Sequence, residues 1–229
     1  PHVSDFPRKK TPVVGMIARY HPQKDHATLL HAMKIVIDGG NDCTLILAGA
    51  GLTSENQKLR KLIQKFDLSQ NVKLLGELES VSHLYPMMTV HILSSSFGEG
   101  MPNAVAESML SAVPNIVTNV GDSSHMVGNT GWVVEPGSPE NLAEAISDAL
   151  SRPPEQIRKL GQKAAQRMLN EFSLTRMIKD TDQAYRENFV TAFTRYGSSG
   201  ASSRVRVEQF VGGLLNLGWT VKISPLLTE

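Results

Sequence analysis

VHILSSSFGEGMPNAVAESML, residues 90–110, changes its pattern half-way along. VHILSSS (90–96) is an apolar run that reads as a strand, and a helical pattern follows over 102–111. Between them lie two glycines, Gly98 and Gly100, and the loop ends on Pro102, which suits a first helical turn. A strand that runs through a glycine-rich turn directly into a helix is half of a βαβ unit.

The same alternation extends along the chain in both directions. VVGMIA (13–18) reads as the first strand, followed by a helix that Asp25 caps and Gly39-Gly40 stops. TLILAG (44–49) is the second strand, a helix opens at Ser54, and VKLLG (72–76) is the third. A short helix near 80–86 leads into residues 90–96. NIVTN (115–119) and GWVVEPG (131–137) supply two more strands. Ser138-Pro139 starts a helix with cap and first-turn proline in the favoured order, and helices follow at 154–169 and 173–188. The expected fold is α/β, a doubly wound Rossmann-like parallel sheet with helices on both faces. In such sheets ligands sit beyond the carboxyl ends of the strands. Arg19, Gly49, Gly51, Gly76 and residues 94–100 all fall there.

Composition excludes several classes. The 229 residues are 41% hydrophobic, enough for one or two cored domains. Formal net charge is +1, from 23 basic and 22 acidic residues spread along the chain, so there is no electrostatic footprint for nucleic acid. The single cysteine, Cys43, cannot close an intrachain disulfide and reads as a buried strand residue of a reducing compartment, with cytoplasm as the default. No apolar run reaches the roughly 20 residues of a membrane span.

The loop between strand and helix at 97–103 has the chemistry of an anion and polyol site. The amides of residues 100–105 are free donors at the positive end of a helix, available to a phosphate. Gly98 and Gly100 permit close backbone approach. Glu107, on the face shared with Asn103, aims a carboxylate at the same mouth and suits a vicinal diol such as a ribose; Glu99 could serve a second polyol. No basic residue lies within 97–109 to neutralise either glutamate. Taken alone, Glu99 is equally a loop charge favoured by the helix dipole, and Glu107 a solvated helix residue. ARYHPQKD (18–25) shifts the balance, because Arg19 and Lys24 sit in the loop after the first strand, where two cations can clamp a diphosphate from the side opposite a helix N-terminus.

ARYHPQKD, LILAGAG, LLGELESVSHLYPMMTVHILSSSFGEGMPNAVAESMLSAVPNIVTNVGD and GNTGWVVEPGSPENLAEAI resemble, in order and spacing, the donor-binding C-terminal domain of glycosyltransferase family 4, retaining enzymes of the GT-B fold. The resemblance covers residues 12–187, with 1–11 as linker. It implies transfer of a sugar from a nucleoside diphosphate sugar, UDP before other bases, to a glycan or glycolipid acceptor with retention. On the family pattern Arg19 and Lys24 hold the diphosphate and assist the leaving group, Glu99 lies beside the donor sugar, and Glu107 binds the ribose. The backbone from Gly98 and Gly100 through Met101, Pro102, Asn103 and Ala104 faces sugar and phosphate, with Gly49 and Gly76 also lining the donor site. The family works without a metal or other cofactor, and the histidines are not clustered; His21, His26 and His125 are scattered. The resemblance further implies a separate N-terminal acceptor domain, lacking upstream of residue 12, and peripheral attachment at the inner face of a membrane.

Two other classes compete. The Gly-x-Gly at 49–51 suggests an NAD(P)-binding oxidoreductase, but it follows the second strand and has Ser54 where a third glycine belongs. A noncatalytic nucleotide-sugar-binding scaffold is the other. Residues 188–229 read as strand, Gly/Ser-rich loop, amphipathic helix ended by Gly218, and strand. That order is similar to the first βαβ unit of an N-terminal domain of the same family, with GASSRVR (200–206) as its acceptor-facing loop.

Overall fold

Val13–Ile17 (β1) is almost wholly buried because it lies near the middle of a sheet covered on both sides. The structure, a computed structural model, describes residues 11–186, 189–194, 209–216 and 220–225. From β1 the chain passes through a 3-10 turn, Pro22–Lys24, into α1, His26–Asp38. There follow β2 (Thr44–Ala48), α2 (Gln57–Lys65), β3 (Val72–Gly76), a 3-10 turn at Tyr85–Met87 and β4 (Val90–Leu93). Next come α3 (Asn103–Leu110), β5 (Asn115–Thr118), α4 (Ser123–Val127), β6 (Trp132–Val134), α5 (Pro139–Ser151) and α6 (Pro154–Glu171).

The six strands lie in the order β3-β2-β1-β4-β5-β6, and every neighbouring pair is parallel. The winding therefore reverses between β1 and β4, where Val14 pairs with Val90 and Gly15 with His91. This reversal leaves a crevice beyond the carboxyl ends of β1 and β4. Strands buried on both faces read as continuous apolar runs, and Leu45, Ile46 and Leu47 are fully buried accordingly. Each such side chain contributes roughly 1.5–3 kcal/mol by leaving water. Cys43, just before β2, is buried, and burial pushes its thiol up to about 12.

Several boundaries differ from the sequence reading, each for a local reason. The second helix is capped by Asn56, whose side chain accepts from the Leu59 amide, rather than opened at Ser54. The helix expected near 80–86 is a single 3-10 turn at Tyr85–Met87. The strand expected over 90–96 stops at Leu93, because the Ser94 hydroxyl and the Ser96 amide turn aside to the carbonyls of Lys24 and Gln23. Pro102 is the cap of α3, with extended ψ of 120°, and not a first-turn residue. The short α4 and the trimming of the sixth strand to three residues were not legible.

By its internal contacts the chain divides into units of residues 1–170 and 171–229, earlier than the boundary expected near 187. The second unit holds α7 (Leu174–Arg186), β7 (Phe189–Thr194), α8 (Gln209–Asn216) and β8 (Thr220–Pro225). β7 and β8 are parallel, in register from Phe189 with Thr220 to Thr194 with Pro225, so the strand-helix-strand order expected of the tail is present. Gly218 and the GASSRVR loop lie outside the described residues.

Candidate functional site

Two loops that the sequence separates widely meet at the winding reversal. The loop after β1 carries Arg19 and Lys24, and the loop after β4 carries Glu99. Lys24 Nζ forms an ion pair with Glu99 Oε1, and Ser95 Oγ donates to the same oxygen. The base absent from the neighbourhood of Glu99 in sequence thus arrives from 75 residues away. The Glu99 side chain is only 7% exposed, so a charge there without these partners would be costly.

The pairing is rigid because both loops are tied. Gln23 Nε2 donates to the Gly98 carbonyl at 2.6 Å, and the Ser96 amide donates to the Gln23 carbonyl at 2.8 Å. From the other side, Thr118 Oγ1 donates to the Ser95 carbonyl at 2.6 Å, and the Asp122 amide to the Gly100 carbonyl at 3.2 Å. Gly121 lies between these last two contacts in left-handed conformation, φ 57°, and a Cβ there would stand 1.9 Å from the Glu99 carbonyl oxygen. Only glycine lets the loop after β5 press this closely on Glu99.

Glu107 lies in the second turn of α3, exposed on its outer side. Its Oε2 accepts the hydroxyl of Tyr85 at 2.9 Å. The Tyr85 ring is buried, and burial with the adjacent carboxylate pushes its phenol above the ordinary tyrosine value. Its edge meets His91, with ring centroids 5.7 Å apart. Burial pulls His91 down to about 4, so it is neutral at pH 7. Nε2 accepts the Ile17 amide at 3.4 Å, which assigns the proton to Nδ1 for donation to Asn115 Oδ1 at 2.7 Å.

The remaining expected residues divide into frame and mouth. Gly49 donates its amide to the Gly76 carbonyl at 2.7 Å, and a Cβ on Gly49 would lie 2.1 Å from the Ala18 carbonyl oxygen; these glycines hold the carboxyl ends of β1, β2 and β3 together. Arg19 is exposed, and among the described residues its guanidinium meets no carboxylate. Gly98, Gly100, Met101 and Asn103 are exposed at the mouth, Ala104 is half-buried, and Pro102 is buried. Free amides are fewer than the expected run over 100–105. Pro102 has none, Val105 donates to the Pro102 carbonyl, and Asn103 and Ala104 remain as the unpaired donors of the first helical turn.

Two cavities elsewhere gather other chemistry. One of about 580 Å³ lies along β6 and α5, where Asp148 is held below the usual carboxylate range, chiefly by Arg152. Another of about 750 Å³ lies at the amino ends of the strands, lined by Thr11, Met88 and Ile157 among others. Neither includes Arg19, Lys24, Glu99 or Glu107.

The profile of the family described as glycosyl transferases group 1 matches residues 11–152, more than half of the chain. The chain belongs to this family. It is 31% identical over 166 residues to a GDP-mannose-dependent monoacylated alpha-(1-6)-phosphatidylinositol monomannoside mannosyltransferase of Corynebacterium glutamicum, an alignment covering 69% of this chain and 42% of that protein. Two solved structures share the fold. One is Anabaena Alr3699/HepE in complex with UDP and glucose, with TM-score 0.67, 20% identity, and 76% of this chain against 48% of that one. The other is the C-terminal domain of LpcC, a group 1 family protein of Francisella tularensis, with TM-score 0.60, 20% identity, and 72% against 90%. The chain thus spans less than half of the full-length relative and most of an isolated C-terminal domain. Among the described residues no helix is long and apolar enough to cross a membrane.

Around the two glutamates and their loop, the sequence reading missed most of the supporting residues. Ser95 lies within the stretch 94–100 already placed at the ligand end of the sheet, but Tyr85, Gln23 and Thr118 are common residue types, and only the fold brings them to the glutamates and their loop. Gly121 did carry a signal, since it lies in the quoted SAVPNIVTNVGD run, but its contact partner is 22 residues upstream.

Proposed function

We propose that the chain is the donor-binding half of an enzyme that transfers a sugar, with retention and without a metal, from a nucleoside diphosphate sugar to a glycan or glycolipid acceptor. The observation that carries this reading is the convergence of Arg19, the Lys24–Glu99 pair and the open amides of Asn103 and Ala104 at the winding reversal, with Glu107 one turn further along α3. A diphosphate leaving group gains negative charge as the glycosidic bond breaks. Arg19, Lys24 and the helix amides are fixed positive groups where that charge grows, and such interactions lower the barrier because they are strongest in the transition state. Glu99, already held by Lys24 and Ser95, lies beside the donor sugar and accepts its hydroxyls. Glu107 presents its second carboxylate oxygen to the ribose diol.

Uridine is the base proposed first. The name of the Corynebacterium relative supports GDP-mannose as the second, and the Anabaena structure, which holds UDP and glucose, supports the first. Acceptor binding and efficient turnover are proposed to need a further domain of the kind that completes the full-length relatives.

Isothermal titration with UDP, UDP-glucose, UDP-N-acetylglucosamine, GDP-mannose and NAD tests the reading. Binding of a nucleoside diphosphate or its sugar, with NAD silent, is expected. Binding of NAD alone would transfer the site to the oxidoreductase class, and silence throughout would refute donor binding by this chain.

A further inference from the structure

Glu107 is a long, exposed helical carboxylate, and such a side chain samples many rotamers at a cost of up to about 2 kcal/mol when it is fixed. Here something fixes it. The Tyr85 hydroxyl occupies Oε2 at 2.9 Å, and that hydroxyl is carried on a ring that cannot move freely. Tyr85 is 1% exposed, sits in the 3-10 turn before β4, and meets the face of the sheet through His91. His91 is itself held at both ring nitrogens, by the Ile17 amide and by Asn115, whose own side-chain nitrogen donates to the Val113 carbonyl at 3.2 Å. A continuous chain of contacts therefore runs from the buried starts of β4 and β5 out to one exposed carboxylate oxygen.

We infer that Tyr85 is a positioning residue for Glu107, holding Oε2 so that Oε1 stands ready for the vicinal hydroxyls of the nucleotide's ribose. The inference rests on the reading of Glu107 as the ribose ligand and adds the group that orients it. An ionised carboxylate offers two oxygens to hydroxyl donors. With Oε2 engaged by a phenol, the ligand meets one oxygen of fixed direction, and the ordering entropy of the side chain is spent before binding rather than during it. A tyrosine suits the position better than a lysine or arginine. It donates one hydrogen bond without adding a positive charge, so the carboxylate keeps its full attraction for ligand hydroxyls.

The test compares affinities for UDP and for 2′,3′-dideoxyuridine diphosphate, or the guanosine pair where guanosine nucleotides bind more tightly, in four forms of the full chain. These are the parent, Tyr85→Phe, Glu107→Ala and the double variant. Tyr85→Phe keeps the ring against His91 and removes only the hydroxyl. It should weaken UDP roughly threefold to tenfold, leave the dideoxy analogue unchanged, and have no further effect once Glu107 is alanine. Glu107→Ala should weaken UDP about tenfold or more and also spare the analogue. A structural role for Tyr85 would instead lower both affinities together and would persist in the Glu107→Ala background; that result overturns the inference. If Glu107→Ala weakens UDP while Tyr85→Phe leaves the ratio of the two affinities intact, the positioning role alone is wrong. If Glu107→Ala itself leaves UDP binding unchanged, the ribose assignment fails first and this inference falls with it.

Discussion

Acidification from about pH 7 to about pH 4.5 should destabilise the first unit through two buried histidines, in a window set by their folded-state values. Burial lowers both His91 and His26 from the ordinary 6.5 to about 4. For His26 the neighbouring Lys24 adds to the lowering while Asp25 opposes it. Both folded values lie below the unfolded one, so between 6.5 and 4 the unfolded chain binds protons that the native state refuses. Stability is then full above 6.5, falls as the pH drops through the window, and loses nothing further from these groups below about 4. Each histidine contributes a slope of about 1.4 kcal/mol per pH unit, or about 3 kcal/mol over the window. Urea unfolding followed by circular dichroism, repeated across the window, should give a slope near 2.7 kcal/mol per unit for the parent and about half that for His91→Gln. The comparison is of slopes, so the absolute stability of the variant does not enter. Asp148, held low chiefly by Arg152, contributes its loss only beneath this window. Equal slopes in parent and variant would refute the argument, because they would mean that His91 takes up its proton in the folded state as easily as in water.

Three further perturbations address the site directly. Lys24→Met leaves the nearly buried Glu99 with Ser95 alone and should cost about 3 kcal/mol in urea unfolding, much of it recovered in Lys24→Met/Glu99→Gln; a double variant no better than the single would show that the ion pair is not what compensates Glu99. Gly121→Ala drives a Cβ into the Glu99 carbonyl and should cost roughly 1–3 kcal/mol, whereas Gly100→Ala, whose Cβ meets nothing within 4 Å, should hold stability within about 0.5 kcal/mol and weaken only the nucleotide sugar. Arg19→Ala should weaken UDP far more than uridine in titration calorimetry, and an equal loss for both ligands would remove Arg19 from the diphosphate.

The sheet was legible because its strands are short apolar runs, the four inner ones almost wholly buried, separated by amphipathic helices with recognisable caps, Asp25 and Ser138 among them. Both caps function as expected, accepting from the amides of Thr28 and Asn141. Boundaries failed where tertiary hydrogen bonds overrode local pattern: Ser94 and Ser96 look like a strand continuing, but their polar groups leave the ladder for the loop after β1. The glutamates and cations were legible as residue types at telling positions. Their pairing was not, since a contact between residues 24 and 99 depends on the winding reversal, which no local pattern encodes. Tyr85 was hidden for the same reason, appearing in sequence as one more apolar residue of a short helix.

On the proposed donor-binding reading, the Lys24–Glu99 contact sets how charge is shared between the two cations and a diphosphate. Arg19, Lys24 and Glu99 together carry one net positive charge, and the first-turn amides of α3 add about half of another. Lys24 cannot be a free cation, because its ammonium already serves a carboxylate in a poorly hydrated place. It retains further N–H donors, so a phosphate oxygen can join Glu99 around it without displacing it. Arg19 is in the opposite position: exposed and unpaired among the described residues, it is free to turn a fork of donors toward phosphate oxygens. The two cations that look equivalent in ARYHPQKD therefore have different tasks. On the proposed reading, Lys24 holds Glu99 in place and offers the diphosphate what remains, and Arg19 supplies most of the new attraction. It follows that Arg19→Lys should lose more diphosphate affinity than a change of equal charge would suggest, since a point charge replaces the fork, while its effect on folding should be close to nil.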